Sequence, residues 1–476
     1  MRSDPKLVAL VKSKTPLAAL ASANPALRGY DSGRYIYELV DALFDTWAAH
    51  GGDQGTSGSD PIGILIPAGS RVLLKPNWVY HENRGGGPLG CLVTDTELIR
   101  AVLAYVLRAD PARVIIADSP LQSCDFSVLR ARLRLDDLVS WAASCGHRVE
   151  IRDLRLRTLD SGVWRMRQRS NGRDPARDYV LFDLGSLSFL EEVSADSRRF
   201  RVTKYDPVLM ESAHRKGRHC YLIAREVLES DVIVNLPKLK THCKAGMTGA
   251  LKNVVGINGE KGYLPHHRKG GSSDGGDCYP GRPLWKRAVE ELLDYGNQLH
   301  AVGGGLARLG CSALIKAAAR LGSDANLEGA WYGNDTVWRT VLDLNRILLY
   351  GNLDGSLSPA PVRRILHITD AVLAGQGEGP LKPIPAPMGI LTAALDGAAA
   401  DWVHAQLMGM NPRDIPLIAH AFDSGPYPVT IVAPSEVKVI TPDAVVEPTE
   451  AAALFGYSVK MPPGWEKEAR GISLNY

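Results

Sequence analysis

Short apolar runs that end in proline or a polar residue constrain the fold more than any other feature of this sequence. Arg71–Leu74 and Val114–Ala117 are two such runs, and both have the composition of buried strands. Between them, the spacing of apolar residues predicts a helix that begins at a cap on Thr94 or Asp95 and ends near Leu107. A strand, a helix and a second strand in this order are typical of a parallel sheet with helices on its faces.

The same alternation continues to the end of the chain. The sequence predicts further helices over 35–49, 135–145, 225–231, 285–299, 336–349 and 398–408, and further strands over 149–151, 179–182, 232–236, 365–368, 389–391 and 429–433. We therefore predict an α/β fold with mainly parallel sheets, helices on both faces and two packed α/β portions.

Three regions are expected along the chain. Residues 1–65 are interpreted as an N-terminal extension and linker, because a Gly/Ser-rich stretch at 51–60 is typical of a flexible connection. Residues 66–280 would form the N-terminal α/β domain with a basic Lys/His loop. Residues 281–476 would form a helical segment and the second α/β portion.

Composition excludes several classes of protein. The chain has 476 residues and a net charge of only +3, so a basic nucleic-acid or membrane-surface protein is not indicated, and we expect neither partner. The seven cysteines contain no Cys-x-x-Cys pair, which argues against a disulfide framework and favours a reducing compartment. No apolar run has the length of a signal or membrane-spanning segment. We predict a cytoplasmic protein and leave its oligomeric state open.

Positive charge is concentrated in one part of the chain. Residues 238–270 contain seven Lys or Arg side chains and one acid, which gives +6, so the rest of the chain carries −3. This segment overlaps a Gly-rich loop at 256–281. A cationic cluster beside a strand end favours the binding of an anionic small molecule.

The residues that carry chemistry follow the predicted strand at 232–236. The segment 236–256 reads LPKLKTHCKAGMTGALKNVVG, and ligands of open α/β sheets bind beyond the carboxyl ends of strands. A helix predicted over Ala245–Asn253 would place Thr248 and Lys252 on one face. Its first N–H groups, near Ala245 to Met247, would then be free to bind phosphate or carboxylate.

Lys252 is the strongest candidate for a base or nucleophile, because neighbouring cations and burial both disfavour its ammonium form. His242 is a candidate for proton transfer. Asp118 or Asp370, each beyond a predicted strand, would balance the positive charge. His266, His267 and Asp370 are candidate ligands of a divalent metal, and the cofactor is otherwise left open.

Four segments of the chain resemble the domain of unknown function 362 family. They are LLKPN at 73–77, DVIVNLPKLKTH at 231–242, GMTGALKNVVG at 246–256 and GEGP at 377–380, and the likeness spans roughly residues 70–410. The family name implies no reaction. The resemblance carries over eight residues as the probable site, namely Lys75, Asn77, Lys240, Thr241, His242, Thr248, Lys252 and Asn253. From the lysine cluster we predict that Lys252, His242 and Lys240 are catalytic. Substrate would be bound by Lys75, Asn77, Lys238, Thr241, Thr248 and Asn253.

A second, local resemblance is to the lactate racemases that use a nickel-pincer nucleotide. His242 precedes Ala245, Gly246 and, ten residues after the histidine, Lys252. The resemblance implies that His242 acts on substrate or proton, that Lys252 holds the cofactor, and that His266 or His267 ligates nickel. Ala250 replaces a glycine of that family and Thr241 replaces a proline.

These observations lead to one main functional hypothesis and two alternatives. We expect an enzyme that binds a phosphate- or carboxylate-bearing small molecule in an interdomain crevice and uses lysine and histidine for acid–base or covalent chemistry, including racemase- or epimerase-like reactions. One alternative is a metal-assisted phosphoryl-transfer or hydrolytic enzyme. The other is a non-catalytic protein that binds a nucleotide or a phosphorylated sugar. The catalytic hypothesis predicts that Lys252 and His242 lie within hydrogen-bond reach of each other and of an acidic partner in a water-poor pocket. A fully exposed Lys252 would contradict it.

Overall fold

The computed structural model describes residues 4–13, 32–51, 65–161, 166–202, 207–298, 302–320 and 327–465. The strands are β1 (Leu7–Lys12), β2 (Arg71–Pro76), β3 (Arg113–Asp118), β4 (Val149–Asp153), β5 (Arg157–Ser161), β6 (Met166–Ser170), β7 (Tyr179–Asp183), β8 (Phe200–Arg201), β9 (His214–Arg215), β10 (Arg218–Ala224), β11 (Val232–Leu236), β12 (Lys238–His242), β13 (Gly246–Thr248), β14 (His267–Arg268), β15 (Arg364–Glu378), β16 (Lys382–Ala386), β17 (Ile390–Ala394), β18 (Lys438–Ile440) and β19 (Val445–Val446).

The helices are α1 (Ser32–Gly51), α2 (Thr96–Arg108), α3 (Phe126–Arg132), α4 (Leu135–Ser144), α5 (Pro207–Ala213), α6 (Arg225–Glu229), α7 (Ala250–Asn253), α8 (Leu284–Gln298), α9 (Val302–Arg320), α10 (Val337–Tyr350), α11 (Gly397–Leu407), α12 (Pro416–Ala419) and α13 (Pro448–Phe455). None of these helices is both long enough and apolar enough to cross a bilayer.

Twelve strands of the described part of the chain form one mixed sheet. Its main path runs β19-β18-β1-β17-β15-β11-β2-β3-β4, and β12, β13 and β16 join it through β15 and β12. The central pairs β15–β11, β11–β2, β2–β3 and β3–β4 are all parallel. The predicted α/β fold with a mainly parallel sheet is confirmed.

Strand β2 shows why the sheet is covered on both faces. Val72 and Leu74 pack into a core cluster that contains α1 and α2, whereas Leu73 packs into a cluster on the other face with β10 and α10. Side chains of a strand alternate between the two faces of a sheet, so a continuous apolar run indicates burial on both. The apolar runs that predicted the strands have this physical origin.

The parallel strands β2, β3 and β11 end at the same edge of the sheet. Asn235 pairs with Lys75 across β11 and β2, and Leu74 pairs with Ile116 across β2 and β3. The residues that follow these strands therefore lie side by side, as expected for an open α/β sheet.

The sheet crosses the boundary predicted at residue 280. Strand β15, from the C-terminal portion, pairs with β11 and β12, from the N-terminal portion. Strand β1, from the region interpreted as an extension, lies between β17 and β18. The predicted flexible connection at 51–60 lies outside the described residues except for Gly51, which ends α1.

Two of the predicted strands differ from the structure. The segment 429–433 was expected to be a strand, but it is irregular, and the nearby strand is β18. The strand expected at 179–182 is present as β7, but it belongs to a separate three-stranded antiparallel sheet with β10 and β9. Asp95 caps α2, as predicted, by accepting a hydrogen bond from the Glu97 amide.

Candidate functional site

The lysine-rich segment folds as a β-hairpin. Strands β12 and β13 pair with Lys240 opposite Thr248 and His242 opposite Gly246, and Gly246 has a φ of +77°. Glycine is favoured at a position with a left-handed backbone conformation in a tight turn, because it has no Cβ. The prediction of a helix over Ala245–Asn253 is therefore wrong for its first half, and Thr248 lies on a strand.

The helix that follows the hairpin, α7, has only the four residues Ala250–Asn253, and a protein carboxylate occupies its N-terminus. Asp401 of α11 accepts hydrogen bonds from the amides of Ala250 and Leu251 at 2.7 and 3.0 Å. A Cβ on Gly249 would lie 2.1 Å from the same carboxylate, so the position requires glycine. The predicted anion site at the helix start near Ala245 to Met247 is wrong, because Asp401 satisfies the amides that begin the helix.

Two of the predicted substrate lysines are held in buried ion pairs. Lys75 Nζ lies 2.8 Å from Asp118 Oδ1, and Lys238 Nζ lies 2.6 Å from Asp370 Oδ2. Both lysines are 1% exposed. Burial lowers the pKa of Lys75 and the charge of Asp118 opposes that shift. The expectation that Asp118 and Asp370 balance positive charge agrees with these contacts.

The Lys75–Asp118 pair is enclosed by backbone. The Trp78 amide donates to Asp118 at 2.7 Å, and a Cβ on Gly256 would lie 1.8 Å from the Asp118 carboxylate. The glycine that ends the GMTGALKNVVG segment is therefore needed for close approach of the chain to this pair.

A chain of buried amides connects the sheet edge to its interior. Lys240 Nζ donates to Asn77 Oδ1 at 2.6 Å, and Asn77 donates to Asn253 at 2.8 Å. Asn253 in turn donates to Asn235 at 2.7 Å, and the Asn235 amide lies 2.9 Å from the ring of His367. Because each of these side chains is fixed by the next, the position of the Lys240 ammonium is set by a network rather than by one contact.

A cavity of about 460 Å³ opens above this network. It is lined from both sides of the predicted domain boundary, by segments between residues 77 and 266 and by residues 327–330 and 380–381. Seven of the predicted site residues line it, namely Asn77, Lys240, His242, Thr248, Lys252, Asn253 and His266. Lys75, Lys238, Thr241, His267 and Asp370 do not line it.

The charge of the cavity wall is positive. Its cations are Arg84, Lys240, Lys244, Lys252 and Lys261. Its two carboxylates are Asp118, which is paired with Lys75, and Glu328. A cavity with this excess of cations favours anionic ligands.

Lys252 is buried in this wall, with 8% of its surface exposed. Burial, together with the positive charges of Lys261 and Lys244, lowers its pKa to about 8. Its amine makes no hydrogen bond and no ion pair within the described part of the chain, His242 included. Lys252 is thus not exposed, which agrees with the catalytic hypothesis, but the expected hydrogen bonds with His242 and with an acidic partner are not present among the described residues.

The two other lysines that face the cavity from a buried position are hydrogen-bonded. Lys240 donates to Asn77 and to the Leu92 carbonyl, and burial with the nearby Lys238 charge lowers its pKa to about 7. Lys261 donates to the Ser119 carbonyl at 3.3 Å, and burial is the main cause that lowers its pKa to about 8.

Two histidines of the cavity are held as opposite tautomers. His242 Nδ1 accepts hydrogen bonds from the amides of Lys244 and Ala245, so the proton of its neutral ring is on Nε2. His266 Nδ1 lies 2.7 Å from the Leu264 carbonyl, which can only accept, so its proton is on Nδ1 and its Nε2 has a free lone pair. Burial and nearby lysines lower the pKa of both rings well below 6.5.

The candidate metal ligands are not brought together. Asp370 is paired with Lys238, and His267 lies on β14 opposite Arg201, away from the cavity. Within the described residues, no three His, Cys, Asp or Glu side chains are arranged to hold a metal ion. Thr241 donates its hydroxyl to the Gly377 carbonyl at 2.9 Å, which is a structural contact.

Several residues of the site were not singled out from the sequence. Lys261 was counted in the charge cluster but not assigned a role. Asn235, His367 and Asp401 take part in the site through contacts between segments that are distant in the sequence. The position of Asn235 at the end of a predicted strand is the one local signal that could have identified it.

Comparison with known proteins agrees with the first resemblance. Residues 170–406 match the model of a family described as a domain of unknown function, DUF362. The chain contains a DUF362 domain. The hairpin, α7, both cavity histidines and Asp370 lie inside this DUF362 match, whereas Lys75, Asn77 and Asp118 lie before it. The resemblance to lactate racemases stays a prediction.

Two individual proteins are also similar to this chain. A thylakoid-associated protein of Synechocystis sp. is 23% identical over 197 residues, which cover 41% of this chain and 38% of that protein. The chain thus spans about two fifths of the length of that curated relative. A crystal structure of a Thermotoga maritima protein matches with a TM-score of 0.29 and 9% identity, over 74% of this chain and 52% of that one.

Proposed function

We propose that this protein is a cytoplasmic enzyme that binds an anionic, phosphate- or carboxylate-bearing small molecule in the cavity and acts on it through Lys252, His242 and His266. The observation that carries the proposal is Lys252, a buried amine that faces a cationic cavity and has no hydrogen-bond or ion-pair partner in the described part of the chain. Lys240, held by Asn77, would fix the anionic group of the substrate.

The two histidines support an acid–base role. His242 offers an N–H and His266 offers a lone pair to the same cavity, so one ring can donate a hydrogen bond to a substrate oxygen while the other accepts a proton. Reactions that remove a proton beside a carboxylate, including racemisation and epimerisation, can use this combination of a donor and an acceptor. The cytoplasmic location is supported by the seven cysteines, all of which are free.

Ligand mass spectrometry tests the binding part of the proposal. The full chain is purified from its native host and denatured, and the released small molecules are compared with those from Lys252→Ala and from Lys216→Ala, a variant of an exposed lysine. We expect one anionic compound to accompany the wild type and Lys216→Ala, and to be depleted from Lys252→Ala. Equal recovery from all three proteins, or no enriched anion, would contradict the proposal.

Lys252→Arg separates catalysis from binding. Arginine keeps the positive charge but is a poor base and nucleophile. If the protein is an enzyme, Lys252→Arg should still bind the released compound. It should convert that compound at least a hundredfold more slowly than the wild type does, as followed by mass spectrometry. Unchanged behaviour of Lys252→Arg would instead support the non-catalytic binding protein.

A further inference from the structure

Lys252 differs from the other buried lysines in what its amine contacts. Lys240 and Lys261 donate to oxygen atoms of the protein, and Lys75 and Lys238 are paired with carboxylates. Lys252 has neither kind of contact with the described residues. Its nitrogen is therefore available to a molecule in the cavity.

The charges that act on Lys252 also set it apart. Besides burial, the cations Lys261 and Lys244 lower its pKa, and the group that opposes them is the Cys243 thiol rather than a carboxylate of the described residues. A lysine used only to bind an anion is best kept as an ammonium ion, beside a carboxylate or in water. A buried lysine among other cations instead gives up its proton more readily than an ordinary lysine, and the neutral amine that results is a nucleophile.

The rest of the cavity describes the molecule that the amine would meet. Lys240, Lys244 and Lys261 provide positive charge for a carboxylate. His242 Nε2–H can donate a hydrogen bond to a carbonyl oxygen, as neutral imidazoles do in enzymes that polarise carbonyls. The cavity wall also contains apolar side chains, which include Val79, Leu121, Leu159, Val202, Leu327 and Leu381.

We propose, in an inference that rests on the proposed function, that the substrate is a carboxylate with an adjacent ketone or aldehyde and an apolar body. Lys252 forms a Schiff base with the carbonyl carbon of this substrate. The neutral amine attacks the carbonyl carbon, a C–N bond forms, and the carbonyl π pair moves to oxygen. The two amine protons pass to that oxygen, with His266 Nε2 as the carrier. The nitrogen lone pair forms the second bond of the C=N group as the C–O bond breaks, and the oxygen leaves as water. One amine and one carbonyl give one imine and one water, with no change of oxidation state.

Reductive trapping tests this inference on the full chain. The protein is incubated with sodium cyanoborohydride and 4-methyl-2-oxopentanoate, and the secondary amine formed from the imine is located by intact-mass measurement and peptide mapping. Parallel samples contain pyruvate, acetone, which lacks the carboxylate, or 4-methylpentanoate, which lacks the carbonyl. Binding of each compound is measured by calorimetry.

We expect the wild type and Lys216→Arg to gain one adduct, on Lys252, with the oxo acids, at least tenfold faster than with acetone. Lys252→Arg should gain none but should still bind 4-methylpentanoate, which shows that its cavity is intact. Binding of the oxo acids without an adduct would overturn this inference and leave the proposed function standing. Absence of binding by every carboxylate would also overturn the inference, and it would restrict the proposed function to phosphate-bearing ligands. An adduct spread over several lysines, or one formed equally fast with acetone, would also overturn the inference.

Discussion

Two sets of buried lysines, Lys75 with Lys238 and Lys252 by itself, differ in one respect. Lys75 and Lys238 each have a carboxylate within 2.8 Å, whereas Lys252 has none among the described residues. All three are almost fully buried. Burial alone therefore does not decide what a lysine does. Lys75 and Lys238 are held at the sheet edge by their carboxylate partners. Lys252 lacks such a partner among the described residues, so its amine is available for chemistry.

Removal of the lysine side chain should change the free energy of unfolding in opposite directions in the two sets. Removing one partner of a buried ion pair leaves an uncompensated charge, and is therefore strongly destabilising. Removing a buried cation that has no partner takes away a desolvation cost. The predictions below test that contrast.

Lys238→Met should produce the largest effect, because it leaves the Asp370 carboxylate buried beside Asp95, whose pKa is already raised by burial and by Asp370. We expect the free energy of unfolding to fall by about 3–5 kcal/mol, measured by urea denaturation at pH 7. The double variant Lys238→Met/Asp370→Asn should recover most of the loss. If the double variant is as unstable as the single one, the pair is not the cause.

Lys252→Met should have the opposite effect. The folded pKa of Lys252, about 8, lies below its ordinary value of 10.5, so at pH 7 the folded state holds an unfavourable proton. Removal of the amine should raise the free energy of unfolding by up to roughly 3 kcal/mol, measured in the same urea experiment.

The pH dependence of the free energy of unfolding provides a second test of this prediction. Between about pH 8 and 10.5 the unfolded chain binds more protons at Lys252 than the folded chain, so this residue makes the wild type more stable as the pH rises. Lys252→Met should lack that contribution, and the difference between the two proteins should shrink from pH 7 to pH 10. A difference that does not change with pH would contradict the assigned cause.

Gly256→Ala tests the packing around the paired set. The new Cβ would lie 1.8 Å from Asp118 Oδ1 and 2.6 Å from Lys75 Nζ, so the ion pair must move. We expect a loss of about 1–3 kcal/mol in the free energy of unfolding. Gly425→Ala is the matched control, because a Cβ there meets no atom within 4 Å, and its effect should stay within about 0.5 kcal/mol.

The reactivity of the Lys252 amine should follow its own titration. Below a pKa of about 8, each pH unit changes the fraction of neutral amine tenfold, which corresponds to about 1.4 kcal/mol. Labelling with trinitrobenzenesulfonate, followed by peptide mapping, should rise to about pH 8 and then level off at Lys252. In the denatured chain, where lysines titrate near 10.4, labelling of the same peptide should keep rising to about pH 10.

Sequence reasoning located the edge of the sheet where the site lies but not the contacts within it. The ends of β2, β3 and β11 were predictable, because each apolar run stops at a polar residue or proline. Lys75 and Asp118 were both placed there. Their pairing depends on the order of strands in the sheet, which no local pattern contains.

The helix prediction over Ala245–Asn253 failed because contacts with distant segments decide the local structure there. The composition of 245–253 favours a helix, but the hairpin pairing with β12 and the carboxylate of Asp401, about 150 residues further along the chain, override it. Local propensity is a weak guide where tertiary contacts satisfy the backbone. The histidine tautomers were hidden for a different reason, since they follow from single hydrogen bonds to backbone groups.

The position of β1 has a consequence for how the protein is made. Leu7–Lys12 is synthesised long before its hydrogen-bonding partners, which are residues 390–394 and 438–440. On a ribosome this strand waits for about 380 further residues before its first strand partner exists. During that time its apolar residues are free to pair with other chains, so expression yield should depend on chaperones and on the rate of translation.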